Sequence, residues 1–313
     1  MKICITGANG FIGNSICQNL SLSGYQVTAA VRFLKSTIRQ NRNIEYIRVG
    51  EINSDTNWKK ALSGCEYVIH CAGKVHEMTK ESKYDEYKTI NVDGTYQLAI
   101  QAAKAGVRRL IFLSTIKVNG EFTKDGFPFS SSEQIDPKDF YSSSKYEAEQ
   151  ILWKVANQSG LEVVILRLPL VYGEGMKGNL KRLMKLINYN IPLPFKSIKN
   201  KRSLIGIDNL IDIIKVCIEN MNAPGKTFLV SDGKDLSTPG LTHLLGSAMS
   251  CSPVLFSVPV KLLKFSSRII GLKSEMERLT TSLQVDNGHV FKILNWIPPL
   301  SVEEGIRRMV QGK

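Results

Sequence analysis

Apolar residues cluster in six short, nearly continuous runs: KICIT (2–6), QVTAAV (26–31), NIEYIRV (43–49), EYVIHCA (66–72), RRLIFLS (108–114) and EVVILRL (162–168). Runs of this length with little polar alternation predict strands buried on both faces, which is the habit of a parallel sheet. Segments of helical period or loop character separate them, the first helix being predicted over Phe11–Leu22. The alternation predicts an α/β fold with a doubly wound parallel sheet. Beyond Pro169 it weakens, and Pro, Asn and Lys become frequent in NYNIPLPFKSIKNKRS. Residues 1–168 are therefore expected to form the doubly wound domain. Residues 169–313 are expected to form mainly a smaller C-terminal lobe, with some segments returning to the first. The stretch 258–272, VPVKLLKFSSRIIGL, sets Lys261, Lys264 and Arg268 at helical spacing among apolar residues. It is expected to pack on the second lobe, with a membrane-surface helix as the alternative.

Charge narrows the range of partners. The 313 residues carry 41 basic and 28 acidic side chains, a formal net charge of +13 spread along the whole chain. Such a balance favours anionic partners. Its diffuseness favours small phosphorylated ligands over a nucleic-acid footprint. The six cysteines lack C-x-x-C spacing, and the four histidines (His70, His76, His243, His289) show no ligand spacing. Reduced core thiols, no metal, no membrane-spanning segment and a cytoplasmic location are the expectation.

The most informative motif follows the first strand: Thr6-Gly7-Ala8-Asn9-Gly10-Phe11-Ile12-Gly13. Gly7 permits a tight turn, Gly10 lets the backbone approach a pyrophosphate, and Gly13 allows close packing of helix on strand. The helix N-terminus faces the negative charge. A Rossmann-type dinucleotide site is predicted, which makes residues 1–168 a dinucleotide-binding Rossmann domain and leaves residues 169–313 mainly as a substrate-binding lobe. At the end of the second strand Arg32 stands where a carboxylate would take an NAD ribose hydroxyl, with Lys35 and Arg39 near it. A guanidinium suits a 2′-phosphate, so NADP is preferred here over NAD.

Tyr141-Ser-Ser-Ser-Lys145 places a phenol and an ammonium on one helix face. The ammonium would favour the phenolate and draw the tyrosine pKa towards a useful range for proton transfer. A Tyr-x-x-x-basic pattern also arises by chance, and Tyr84-x-x-x-Lys88 is a second match. That one lies in the charged run KESKYDEYK and reads as a solvated helix face. Tyr141 follows a core strand ending in Ser114-Thr115 and is the catalytic candidate.

Together with RLPLVYG (167–173), these segments resemble the extended short-chain dehydrogenase/reductases that act on nucleotide sugars. Within that group the segments STIKVNGE, KGNL, NKRSLIGIDNLID and FLVSDGKDLST are most similar to 4-reductases related to UDP-glucose 4-epimerase. The resemblance implies catalytic roles for Thr115, Tyr141 and Lys145. It implies a cofactor site at Gly7, Asn9, Gly10, Phe11, Ile12, Gly13, Arg32, Glu51, Ile52, Cys71, Ala72, Gly73, Lys145 and Pro169. A substrate site at Lys74, Lys117, Asn179, Arg202 and Arg278 is implied as well, the last three holding a nucleotide diphosphate. Asn91 matches the structural asparagine of the group, and a homodimer through the Tyr141 helix is implied.

Two positions depart from the pattern: Glu51 where Asp is commoner, and Asn119 where tyrosine is usual. Ile116-Lys117 follow the catalytic Thr where sugar-nucleotide dehydratases carry Asp-Glu, so elimination of water is not expected. The activity expected is reduction of a UDP-linked 4-keto-6-deoxy-N-acetylhexosamine with NADPH. A UDP-hexose 4-epimerase is the alternative, and a non-catalytic nucleotide-binding protein the lesser one.

Overall fold

The computed structural model describes residues 1–34, 41–75, 83–124, 126–131, 135–176, 178–269 and 271–312. Seven strands form one parallel sheet: β1 (Lys2–Thr6), β2 (Gln26–Val31), β3 (Ile44–Arg48), β4 (Tyr67–His70), β5 (Arg109–Thr115), β6 (Glu162–Leu168) and, late in the chain, Lys226–Leu229. Their order is β3-β2-β1-β4-β5-β6 with the late strand outermost against β6. A separate parallel pair joins β7 (Leu170–Tyr172) to β8 (Leu204–Gly206), which makes the late strand β9. Every residue of β4 and β5 is buried, as expected for central strands covered on both sides.

Strand order reverses direction at β1, whose Thr6 lies beside Ala30 of β2 and His70 of β4. In sheets of this kind, ligands bind outside the carboxyl ends of the strands at such a reversal. Helices α1 (Phe11–Leu22), α2 (Lys59–Leu62), α3 (Tyr84–Tyr87), α4 (Gly94–Lys104) and α5 (Phe140–Ser159) connect the first six strands. A π-helical turn at Lys88–Asp93 leads into α4. Asp139 caps α5 by accepting from the Ser142 amide at 2.7 Å, and Gly160 ends it in the left-handed region at φ 72°.

The remaining helices are α6 (Asn179–Asn188), α7 (Ile207–Glu219), α8 (Thr238–Ala248), α9 (Val260–Ile269), α10 (Lys273–Thr280), α11 (Gly288–Leu294) and α12 (Val302–Gln311). Helix α7 packs with α1 on one face of the large sheet. Helices α6, α8 and α12 enclose a further core around Tyr172, Leu180, Leu245 and Ile306. No helix among the described residues is long and apolar enough to cross a membrane.

Most predicted strands fall within two residues of their observed ends. The 43–49 and 66–72 runs are trimmed at both ends, whereas the 108–114 run extends to Thr115. Strand β9, KTFL, is too short and polar to stand out in the sequence, and its pairing with β6 is a tertiary effect.

Candidate active site

The loop after β1 is shaped by contacts that leave no room for side chains. Gly7 has φ 67°, and a Cβ there would lie 2.9 Å from the Ala72 backbone. A Cβ on Gly13 would come within 2.3 Å of the Gly7 carbonyl oxygen, so α1 approaches β1 as closely as backbone allows. The Gly10 amide donates to the Gly7 carbonyl at 2.8 Å, closing the turn. Gly10 also serves as the N-cap of α1 and offers no side-chain acceptor to the first helical amides. Those amides are donors suited to a pyrophosphate. Asn9 reaches across to the loop after β2, its amide donating to the Phe33 carbonyl at 2.9 Å. Phe11 and Ile12 instead pack inward, against separate cores.

On the β4 side, the Ala72 amide donates to the Thr6 hydroxyl at 3.1 Å. That hydroxyl also lies 2.6 Å from His70 Nδ1, and His70 Nε2 lies 2.9 Å from the Thr95 hydroxyl. Burial, aided by the Lys145 charge, pushes His70 down to about 3. The imidazole is therefore a neutral bracket between β1, β4 and α4. Asn91, in the π-helical turn, accepts from the Lys74 amide at 2.7 Å and donates to the Lys74 carbonyl at 3.0 Å and to Ser144 Oγ at 2.9 Å. One carboxamide thereby fixes the Cys71-Ala72-Gly73-Lys74 loop to α5.

Thr115 ends β5, Tyr141 lies in the first turn of α5, and Lys145 follows one turn on. The structure thus brings the three together at the carboxyl end of the sheet, with the Thr115 side chain close enough to the Tyr141 phenol to favour its ionised form. Lys145 is buried, its ammonium 3.8 Å from the centroid of the Phe112 ring. Burial draws its pKa down to about 7, against the opposing pull of Glu149. The expected lowering of the Tyr141 pKa does not follow from this geometry. Burial pushes the phenol up to about 12, the Asp139 carboxylate adds to the rise, and the Thr115 side chain opposes both only in part.

Other expected residues take varied places. Arg32 lies 3.6 Å from the Glu51 carboxylate, and both side chains are exposed. Lys35 and Arg39 lie outside the described residues, as does Lys177 of KGNL. Ile52 is buried against Gly94, and Pro169 is buried between β6 and β7. The Lys74 ammonium is 2.8 Å from Glu86, and that of Lys117 is 2.5 Å from Asp139 and 3.4 Å from Glu121. Both lysines, expected to face substrate, are taken up by carboxylates of the chain itself. Asn179 opens α6 after Gly178 at φ 92°.

The structure brings Arg202 against the backbone of Arg278. Arg202 Nη1 donates to the Arg278 carbonyl at 3.0 Å and to the Thr281 carbonyl at 3.3 Å. Burial, with the Arg278 charge beside it, lowers Arg202 to about 10. Neither guanidinium pairs with a carboxylate among the described residues.

A buried network behind Thr115 escaped the sequence reading. Glu149 accepts from Ser114 at 2.5 Å and from Arg167 at 2.6 and 3.1 Å, and Arg167 donates to Asn119 at 2.9 Å. The signal for it was present: an arginine inside the apolar run EVVILRL requires a buried anion.

Residues 3–231 match the NAD dependent epimerase/dehydratase family. The chain belongs to that family. It is 41% identical over 315 residues to the UDP-glucose 4-epimerase of Vibrio cholerae, covering 99% of this chain and 95% of that protein. A UDP-2-acetamido-2,6-beta-L-arabino-hexul-4-ose reductase from Pseudomonas aeruginosa is 25% identical, over 67% of this chain and 48% of its own length. The epimerase-family fold is shared with the UDP-glucuronic acid 4-epimerase from Bacillus cereus solved with UDP-glucuronic acid and NAD. There the TM-score is 0.79 and the identity 22%, with 99% of this chain and 98% of that chain covered. As a member of the epimerase/dehydratase family, this protein is an oxidoreductase-type enzyme on a Rossmann fold. The similarity to this 4-reductase is weaker than that to the Vibrio cholerae epimerase.

Proposed function

We propose that this chain is a UDP-hexose 4-epimerase that retains NAD. The observation that most supports this reading is the 41% identity to the Vibrio cholerae UDP-glucose 4-epimerase along nearly the whole of both chains. The Gly7–Gly13 cradle and the uncapped amides of α1 fit a dinucleotide pyrophosphate. Arg32 lies 3.6 Å from the Glu51 carboxylate, so a 2′-phosphate brought to Arg32 would also meet a negative charge, which favours NAD over NADP.

The bound dinucleotide would supply reversible two-electron oxidation of the sugar carbon. Tyr141, as the phenolate that the positive charge of an oxidised nicotinamide would favour against burial, would take the proton of the C4 hydroxyl as the alcohol becomes a ketone, and return it to the same oxygen after the sugar turns over. The Thr115 hydroxyl, beside that phenol, would hold the C4 oxygen in line. Lys145, on the same helix face, would hold the nicotinamide ribose. Ile116 and Lys117 follow Thr115 and Lys117 is paired to Asp139, so neither of these two side chains supplies the base that elimination of water needs.

Purified protein without added cofactor is expected to convert UDP-glucose or UDP-N-acetylglucosamine to its C4 epimer, followed by NMR, and to release NAD on denaturation, read by mass spectrometry. Failure on both counts, with NADPH-dependent reduction of a UDP-4-keto sugar instead, would establish the reductase reading. Arg32 in place of an acidic residue is the observation that favours that second reading.

Arg202 and Arg278 would receive the nucleotide diphosphate, with Asn179 at the start of α6. The Arg202→Ala variant is expected to bind UDP more weakly by about 2–5 kcal/mol, the usual scale for losing one member of a desolvated charge pair. Retained NAD should be unchanged. Isothermal titration with UDP checks this, and equal losses of both ligands would indicate misfolding rather than a lost clamp.

A further inference from the structure

Helix α9 presents its outer side unusually. Leu263 and Ser267 point inward and are buried. Leu262, Phe265 and Ile269 share the outer face at i, i+3 and i+7, and are 55%, 62% and 72% exposed. Lys261, Lys264 and Arg268 follow the same spacing on the adjoining face. Among the described residues none of these three cations takes part in an ion pair. The apolar surface continues along the chain into Val254 and Phe256, which are also exposed. That segment is hydrogen-bonded to the one after α6: the Leu193 amide donates to the Val254 carbonyl at 2.9 Å and the Phe256 amide to the Leu193 carbonyl at 3.0 Å. Tyr189 and Ile191, just before it, are exposed as well.

We propose that this face docks on an anionic lipid surface. Charge complementarity decides the occupant. Residues 249–274 contain four basic and no acidic side chains, and residues 178–199 contain five basic and none acidic. A contact with a second copy of the chain would bring like charges together, whereas a bilayer of anionic headgroups meets both features at once. Apolar side chains enter the acyl boundary while the flanking cations remain among phosphates. The helix lies on the surface and does not cross it, since only ten residues are helical. Epimerisation itself needs none of these side chains.

Flotation of the full chain with vesicles tests the proposal. Binding is expected to phosphatidylcholine vesicles containing about one-third phosphatidylglycerol, at least about tenfold more than to phosphatidylcholine alone, and to fall as salt approaches about 0.5 M. The triple variant Leu262→Ser/Phe265→Ser/Ile269→Ser should lose about tenfold or more of the bound fraction. Lys261→Gln/Lys264→Gln/Arg268→Gln should abolish the preference for phosphatidylglycerol. All substituted positions except Lys264, which is partly buried, are exposed, so the circular dichroism spectrum should be unchanged. No binding by the wild type, or binding indifferent to both variants, overturns the proposal. A wild type that ignores vesicles but whose oligomer dissociates in the serine variant would assign the face to a second copy instead.

Discussion

Turnover of the Tyr141→Phe protein is expected to fall by about 10²- to 10⁴-fold, the range for loss of a positioned acid/base group, while its melting temperature stays near that of the wild type. The phenol is held at the start of α5 by a cap that does not depend on it, since Asp139 and Ser142 close the capping box between themselves. Removing one oxygen leaves that box intact and deletes only the group facing Thr115. Tyr84→Phe is the matched control. Its hydroxyl donates to Glu147 at 2.5 Å on the surface of α5, and its loss should leave turnover within about twofold, as for most surface changes. Steady-state assays of the two variants in parallel decide the matter; near-full activity in Tyr141→Phe would remove Tyr141 from the mechanism.

A second large effect concerns stability. The Glu149→Ala variant is expected to lose about 3–5 kcal/mol, because it strands the Arg167 guanidinium inside the protein without its anion. Glu149 is fully buried and Arg167 nearly so. Replacing both members, as in Glu149→Leu/Arg167→Met, should recover much of the loss, since an apolar pair does not need the desolvation of two charges repaid. Urea denaturation of the single and double variants gives both numbers. A single variant within about 1 kcal/mol of wild type would mean that water enters to solvate Arg167. Because Ser114 donates to Glu149 and precedes Thr115, the single variant should also lower turnover in its folded fraction.

Much of this architecture is legible in the sequence alone. The apolar runs declare β1, β2 and β6 to the residue, because strands buried on both faces can afford almost no polar interruption. The glycine turn is equally plain, since each glycine answers to a contact a side chain would break. Charged residues are harder. Lys74 and Lys117 look free in the sequence, and only the fold reveals that Glu86 and Asp139 lie within reach. The same holds for the Tyr141 ionisation. Spacing places an ammonium one turn away, but the burial that outweighs it belongs to the packing of α5 on β5 and not to the motif. Glu149 and Ser144 carry no local signature at all; one stabilises an arginine on a neighbouring strand and the other an asparagine in a distant turn.

Strand β9 also sets the timetable of folding. It covers the outer edge of β6, a strand buried at all but its first position. Residues 169–229 must leave the ribosome before that edge can close, and until then the growing chain exposes a row of unpaired amides and carbonyls on a strand made to be buried. Closing a loop of this length costs entropy that only the finished pairing repays. A chain interrupted anywhere between Leu168 and Lys226 is therefore a sticky species, prone to pair with its neighbours. Chaperone demand during synthesis should peak over this interval, and nonsense truncations within it should aggregate instead of accumulating as a soluble nucleotide-binding half.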